Sequence, residues 1–398
     1  MELVEASSVD NPTTPEPRDY VNPLESSSRW YLNARAQLIR YAASVGFSIA
    51  NRAEPPVPEF TREIYLDSTL SLLSGPKKIK TEVWIPPRVS IGPRPAVITF
   101  HGGGWILGQG TDNARWAGAV MSQLDAVVFT VNYRLAPSFP FPTPIEDCVD
   151  AVCQIVRHAG EFGIDPDKII ISGFSAGATN TLAAWICLQE PEKFGYTLPF
   201  HPPRIAGLVL FYPTLDYTMS RPDKREQCPR PDLTLPKSLT DLIDASYVYP
   251  PIMREKRSDP RLSPGLMSDE LVKKLPPIHL CLCEYDMLLL EGMKFASRLK
   301  DNRKQCEVRV VKGEKHAWDG PPPMAPKESV GIEYGAAVQS MADWLGGDTT
   351  DKDSVRTVRT KKSRLDRPTG LLIRAVSALE VRSTEKKLQR ERSSQLRP

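Results

Sequence analysis

Six short segments of this chain are apolar, or nearly so, on both of their alternating faces. They are PAVITF (95–100), AVVFTVNY (126–133), KIIIS (168–172), IAGLVLFYP (205–213), IHLCLCEY (278–285) and EVRVVKG (307–313). A strand with one wet face alternates apolar and polar residues. A strand that is apolar on both faces has to be covered from both sides, which is the habit of parallel strands. Helix-like stretches lie between these segments, at 113–124, 144–160, 176–189, 286–300 and 329–346. Strands alternating with helices predict an α/β layer fold, with a central, mostly parallel sheet flanked by helices. Two earlier segments, IYLDSTLSLL and KTEVWIPP, read as an antiparallel pair that opens the sheet.

The chain divides into four parts around this rhythm. Residues 1–27 are rich in Pro, Ser, Glu and Asp and are expected to be disordered. Residues 28–62 form an N-terminal segment whose helix is capped by Ser28 and runs to about Ala50. In that helix Trp30, Ala34, Leu38, Tyr41, Val45 and Ile49 recur at helical spacing. The stripe predicts a helix packed on the body, or one that lies over the mouth of a site or on a membrane surface. Residues 63–349 hold the strands and helices of the main domain, interrupted at about 214–262 by an insertion with one helix-like piece, LTDLIDASYVY. Connections this long inside a compact domain are commonly functional, and the insertion reads with the N-terminal helix as a lid. Residues 350–398 form a charged, Ser- and Thr-rich tail, expected to be disordered. Its one apolar patch, Leu371 to Leu379, suits a partner or a membrane surface.

Charge is spread unevenly over these parts. Of 51 Lys and Arg and 48 Asp and Glu, 14 and 6 lie in residues 350–398, a net of +8. The other 37 and 42 give the body a net of −5. A mildly acidic body gives no reason to expect a nucleic-acid partner. The acidic, polar N-terminus lacks the basic start and apolar block of a secretory signal, and no run of 18 apolar residues suggests a membrane span. Seven scattered cysteines, with no CxxC pair, read as free thiols in a reducing compartment. The location expected is therefore cytoplasmic, or peripheral on an intracellular membrane. Cys281 and Cys283 stand two apart in a strand and face the same side, as core residues do.

The chemistry begins at Gly173-Phe174-Ser175-Ala176-Gly177, between the buried strand 168–172 and a helix that begins near Ala176. A serine on so tight a turn needs small neighbours, and its hydroxyl then projects above the sheet edge beside a helix N-terminus. Upstream, directly after PAVITF, stands His101-Gly102-Gly103-Gly104-Trp105. Glycines in series let backbone N–H groups converge on one point. Such donors stabilise the negative oxygen of a tetrahedral intermediate, each worth roughly 10²–10³ in rate. Gly102, Gly103 and Ala176 are the expected N–H donors, with Trp105 and Phe174 as pocket walls and His101 ordering the loop.

A serine nucleophile needs a base, and the chain has five histidines. His101 belongs to the glycine loop, His158 to a charged helix, His201 to a Pro-rich connection and His279 to the interior of an apolar strand. His316 follows the strand EVRVVKG in a loop, and catalytic groups of open α/β sheets gather where strands end. It is the expected base, with His158 and His201 read as surface residues and His279 as packed. The acid is expected between serine and histidine in the sequence. Asp286 ends the strand IHLCLCEY, 30 residues before His316, and suits both that role and a helix cap. Glu284, within the strand, and Asp319, close to His316 along the chain, are its rivals.

Taken in order and spacing, HGGGW, Tyr133-Arg134-Leu135-Ala136-Pro137, GFSAG, Asp286-Met287-Leu288 with Glu291-Gly292, and His316 resemble the hormone-sensitive-lipase family of α/β-hydrolases, the fold-3 group. The resemblance covers about residues 63–346. It implies an eight-stranded α/β-hydrolase sheet, a lid from the N-terminal segment and an insertion, and ester hydrolysis without metal or cofactor. It also implies that Arg134 and Asp147 are structural supports near the site. The chain departs from the family at Phe174, where many members have Asp, and at Ser138, where many have Glu. Its texture is similar to fungal members that act on steryl or secondary-metabolite esters.

The expected activity is that of a serine carboxylic-ester hydrolase working through an acyl-enzyme on a hydrophobic or medium-sized small-molecule ester. An amidase, lactonase or acyltransferase could use the same three residues. A non-catalytic small-molecule receptor is a further alternative, although such receptors in this family lack the histidine. Peripheral membrane contact through the N-terminal helix or the basic tail accompanies either reading.

Overall fold

The computed structural model describes residues 20–51, 58–198, 202–320 and 327–346, with side chains in all but 46–51. Eight strands form one sheet. They are β1 (Arg62–Asp67), β2 (Lys78–Trp84), β3 (Arg94–Phe100), β4 (Val127–Val131), β5 (Ile164–Phe174), β6 (Ile205–Phe211), β7 (Ile278–Tyr285) and β8 (Cys306–Lys315). Their order is β1-β2-β4-β3-β5-β6-β7-β8. β1 pairs antiparallel with β2, and β2 with β4, while every later pairing is parallel. The helices are α1 (Arg29–Asn51), α2 (Ala114–Leu124), α3 (Thr143–Arg157), α4 (Ala159–Phe162), α5 (Ala176–Gln189), α6 (Arg221–Glu226), α7 (Lys237–Tyr247), α8 (Asp269–Lys274), α9 (Leu289–Asp301) and α10 (Glu328–Trp344). This is the mostly parallel, eight-stranded α/β fold that the apolar strands require.

Burial explains those doubly apolar runs. Ile98, Phe129, Ile171, Leu210 and Leu282 point into a core shared with α3, α5 and α9. Their chain neighbours Val97, Val128, Ile170, Val209 and Cys283 point the other way, into a core closed by α2 and α10. Cys281 joins Cys283 in that second core, so the CxC pair is packing. In the first of these cores α5 is buried on almost every side, every residue from Ala176 to Leu188 being buried. That burial fixes the strand–helix junction that precedes it.

A buried ion pair ties the antiparallel edge to the parallel body. The Arg134 guanidinium donates from Nε to Oδ2 of Asp147 at 2.9 Å and from Nη2 to Oδ1 at 2.7 Å. It also donates to the Pro76 carbonyl and the Ser68 hydroxyl in the β1–β2 connection. Arg134 and Asp147 are the supports the family resemblance implies. Removing one partner strands the other charge in the interior, at a typical cost of 3–5 kcal/mol. Arg134→Ala is therefore expected to lower unfolding free energy in urea by about that amount. An effect within the range of ordinary surface substitutions would contradict this account.

His279 lies buried in β7, as its apolar strand predicts, with Nδ1 2.9 Å from Ser340 Oγ on α10. Burial penalises its charged form and pushes its pKa down to about 4. A histidine depressed below its unfolded value near 6.5 leaves stability intact above that value, and stability falls as the pH drops towards about 4. Between about pH 6.5 and pH 5 the loss is of order 2 kcal/mol. His279→Leu cannot take up the proton. Its stability, measured in urea at about pH 7 and pH 5, should fall by that much less than the parent's; an unchanged fall would count against it.

The structure bears on two expectations about the N-terminal region. Residues 20–27 do not stand free: Tyr20 donates its hydroxyl to Asp241, the Asn22 amide donates to the Asp241 carbonyl, and Glu25 pairs with Arg257. Residues 1–19, also expected to be disordered, lie outside the described residues, as does the tail. The helix α1 forms where expected, with the Tyr31 N–H directed at Ser28 Oγ. Of the readings open to the apolar stripe, packing on the body is the one set aside. Leu32 and Ala36 are fully buried, whereas Trp30, Leu38, Tyr41 and Val45 are exposed; the Ile49 side chain lies outside the described residues. The reason is polar. Arg29 donates to the Pro137 and Ser138 carbonyls, Arg40 to the Ile106 and Ala136 carbonyls, and Ser138 Oγ to Asn33. These bonds turn the arginine face inward.

Candidate active site

β5 ends at Phe174 and α5 begins at Ala176, so one residue makes the turn. Ser175 makes it with φ 52° and ψ −118°, a conformation that L-residues avoid. The two glycines of the motif permit the approach this requires. A Cβ on Gly173 would stand 2.3 Å from the Gly177 carbonyl oxygen, and one on Gly177 would stand 2.1 Å from that of Phe100. The Ser175 N–H is held by the Phe211 carbonyl at 2.9 Å, and its own carbonyl accepts from the Ala178 and Thr179 N–H groups.

The serine hydroxyl lies 2.8 Å from His316 Nε2, and His316 Nδ1 lies 2.6 Å from Asp286 Oδ2. Residues 175, 286 and 316, far apart in sequence, thus meet at the ends of β5, β7 and β8. The other oxygen of Asp286 accepts the Leu288 N–H at 3.0 Å, so this carboxylate orients the imidazole and caps the turn into α9 together. Asp286 and His316 are nearly closed to solvent and Ser175 is half-buried; Ser175 and His316 both border a cavity.

The rival acids have other partners. Glu284 accepts the Gly313 N–H at 2.7 Å and pairs with Lys312, and the Gly313 N–H first, then Lys312, hold its pKa low. Asp319 is buried three residues past the histidine, and burial raises its pKa. Its carboxylate accepts the hydroxyls of Tyr212, at the end of β6, and Tyr334, on α10. The Tyr212 ring packs edge-on against the His316 ring, with centroids 4.8 Å apart. Asp319 thus anchors the loop that carries His316. The sequence carried a faint sign of this in Tyr212, an aromatic at a strand end, but none of Tyr334.

The remaining histidines do not approach the serine. His158 is half-buried, with Nδ1 2.8 Å from the Gln154 carbonyl. His201 lies outside the described residues. His101 is buried against the Tyr133 ring, with centroids 4.3 Å apart and Nδ1 2.7 Å from the Gly102 carbonyl. Burial lowers its pKa to about 4, so it stays neutral while it orders the loop.

That loop abuts the nucleophile. A Cβ on Gly102 would lie 3.5 Å from Ser175 Cβ, and Gly103 turns the chain at φ 106°, where other residues are strained. Trp105 is fully buried: its Nε1 donates to Asn180 Oδ1 at 2.8 Å and its ring stacks on Tyr247 at 3.9 Å. Phe174 takes the position before the serine and stacks on Phe211, with centroids 4.5 Å apart and rings parallel within 1°. Both border a cavity of about 600 Å³. Its floor is Ser175 and His316. Its walls include Leu107, Leu135, Met287 and Leu288, with Arg40 and Ala43 from α1 and Leu235, Leu239 and Ile243 from the insertion. The N-terminal helix and the insertion both contribute residues to the cavity wall. Among the described residues no cluster of side chains is suited to hold a metal ion.

Residues 97–319 match a family model described as the alpha/beta hydrolase fold. The chain is 30% identical over 267 residues to the carboxylesterase NlhH of Mycobacterium tuberculosis, covering 66% of this chain and 78% of that one. It is 26% identical over 317 residues to an AB hydrolase superfamily protein of Schizosaccharomyces pombe, covering 78% and 88%. Among solved structures it superposes on a bacterial heroin esterase with a TM-score of 0.64 and 24% identity, covering 81% and 97%. With its strand order, its strained serine turn and its matched span, this chain belongs to the α/β-hydrolase fold family.

Proposed function

We propose that the protein is a serine carboxylic-ester hydrolase that works through an acyl-enzyme. One observation carries this reading: the continuous Ser175–His316–Asp286 hydrogen-bond chain, 2.8 and 2.6 Å, at the floor of a largely apolar cavity. The carboxylesterase name of the Mycobacterium relative supports the same substrate class.

The ester carbonyl enters between Ser175 and the glycine loop. His316 Nε2 takes the hydroxyl proton as Oγ attacks, and Asp286 stabilises the imidazolium that forms. The N–H groups of Gly102, Gly103 and Ala176 receive the oxyanion, the last from the first turn of α5. His316 then passes its proton to the leaving alkoxide, and the alcohol departs. Water repeats the sequence on the acyl-serine and releases the acid. The cavity walls select hydrophobic or medium-sized small-molecule esters, with α1 and the insertion as a lid over them. Seven free thiols support a reducing compartment.

Ser175→Ala is expected to remove turnover of activated short-chain esters, and Asp286→Asn to lower kcat by roughly 10³–10⁴ with a smaller change in KM. Turnover near the parent's in Ser175→Ala would overturn the nucleophile assignment. A panel of p-nitrophenyl esters of rising acyl length, run beside a sterol ester and beside amide, lactone and alcohol-acceptor substrates, should give its highest kcat/KM on a hydrophobic ester. A preference for amide or lactone, or acyl transfer outrunning hydrolysis, would reassign the activity.

A further inference from the structure

The helix α1 packs with the wrong face outward for a helix that meets only water. A surface helix normally turns its apolar stripe to the core and its charges to solvent. Here Arg29 and Arg40 point inward onto carbonyl oxygens, Arg40 at 2.7 Å from Ile106 O and 2.8 Å from Ala136 O. The outward stripe is Trp30, 77% exposed, Leu38, 61%, Tyr41, 72%, and Val45, 42%, with Tyr31 beside it. The inner side of the same helix, at Arg40 and Ala43, walls the cavity above Ser175.

From this we infer that the outward stripe of α1 docks the protein on a lipid surface carrying anionic headgroups. Three features favour lipid over another protein. The stripe is rich in Trp and Tyr, whose rings are apolar and whose N–H and O–H groups stay wet, the combination that settles at a membrane–water boundary. The helix contains no acidic residue that would repel anionic headgroups. The tail beyond residue 350 carries a net +8 and supplies the second, electrostatic signal that stable attachment of a peripheral protein requires. Docked in this way, the enzyme takes esters dissolved in the lipid directly beside its cavity. That consequence rests on the proposed ester hydrolysis; the docking itself does not.

The test uses the full chain with vesicles of mixed phosphatidylcholine and phosphatidylserine, and a triple variant, Trp30→Ser with Leu38→Ser and Tyr41→Ser. These side chains touch neither the catalytic residues nor the cavity, so the variant should hydrolyse a soluble short-chain ester at the parent's rate. Its partition onto vesicles should fall by about tenfold or more. Ser175→Ala should bind vesicles like the parent, which separates failure of the docking from failure of the catalytic reading. A parent that does not sediment with vesicles, or a triple variant that sediments as well as the parent, would overturn the inference. So would a parent that runs as a dimer in gel filtration while the triple variant runs as a monomer, since the stripe would then be a contact between copies.

Discussion

Ser175 stands in a backbone conformation that costs of order 1–3 kcal/mol, and the neighbouring structure is shaped to hold it there. The strand before it is pinned between β3 and β6, and the helix after it is buried on nearly all sides. Between them the chain has one residue in which to reverse, with Gly173 and Gly177 in van der Waals contact with neighbouring backbone. Because strand and helix cannot move, the serine hydroxyl cannot relax away from the imidazole. The strain is held by the two cores on either side of the sheet, so the chemistry depends on packing far from any reacting atom.

The other members of the site obey the same logic. Asp286 is fixed by its own turn, since one oxygen caps the start of α9 while the other orients His316. His316 lies on a loop, which by itself would be a poor platform. Asp319, held by two buried tyrosine hydroxyls, fastens that loop to β6 and α10, and the Tyr212 ring fills the space beside the imidazole. Phe174 matters in the same way: it stacks on Phe211, which Trp116 meets edge-on, beside the residue that carries the nucleophile.

Much of this was legible in the sequence because it is periodic or local. Strands apolar on both faces announce a doubly covered sheet, and residues at their ends, Ser175, Asp286 and His316, are where such sheets gather function. What was not legible depends on contacts between distant segments. Helical spacing groups Trp30, Leu38 and Tyr41 on one face, but it does not say which way that face points. The answer came from carbonyl oxygens at residues 106 and 136–138 that capture Arg40 and Arg29. In the same way Asp319 looked like a rival acid by proximity to His316, and only the fold brings Tyr212 and Tyr334 to it. Glu284 sat in the right strand, but the Gly313 N–H and Lys312 had already claimed it.

The central claim is that Ser175 becomes covalently acylated, and trapping that species tests it most directly. Mixing the protein with an activated ester, quenching in acid within the first turnovers and mapping the peptides by mass spectrometry should place one acyl group on the peptide that contains Ser175. The same mass should be absent from Ser175→Ala. Steady turnover without any such adduct, or an acyl group on a different residue, would contradict the account.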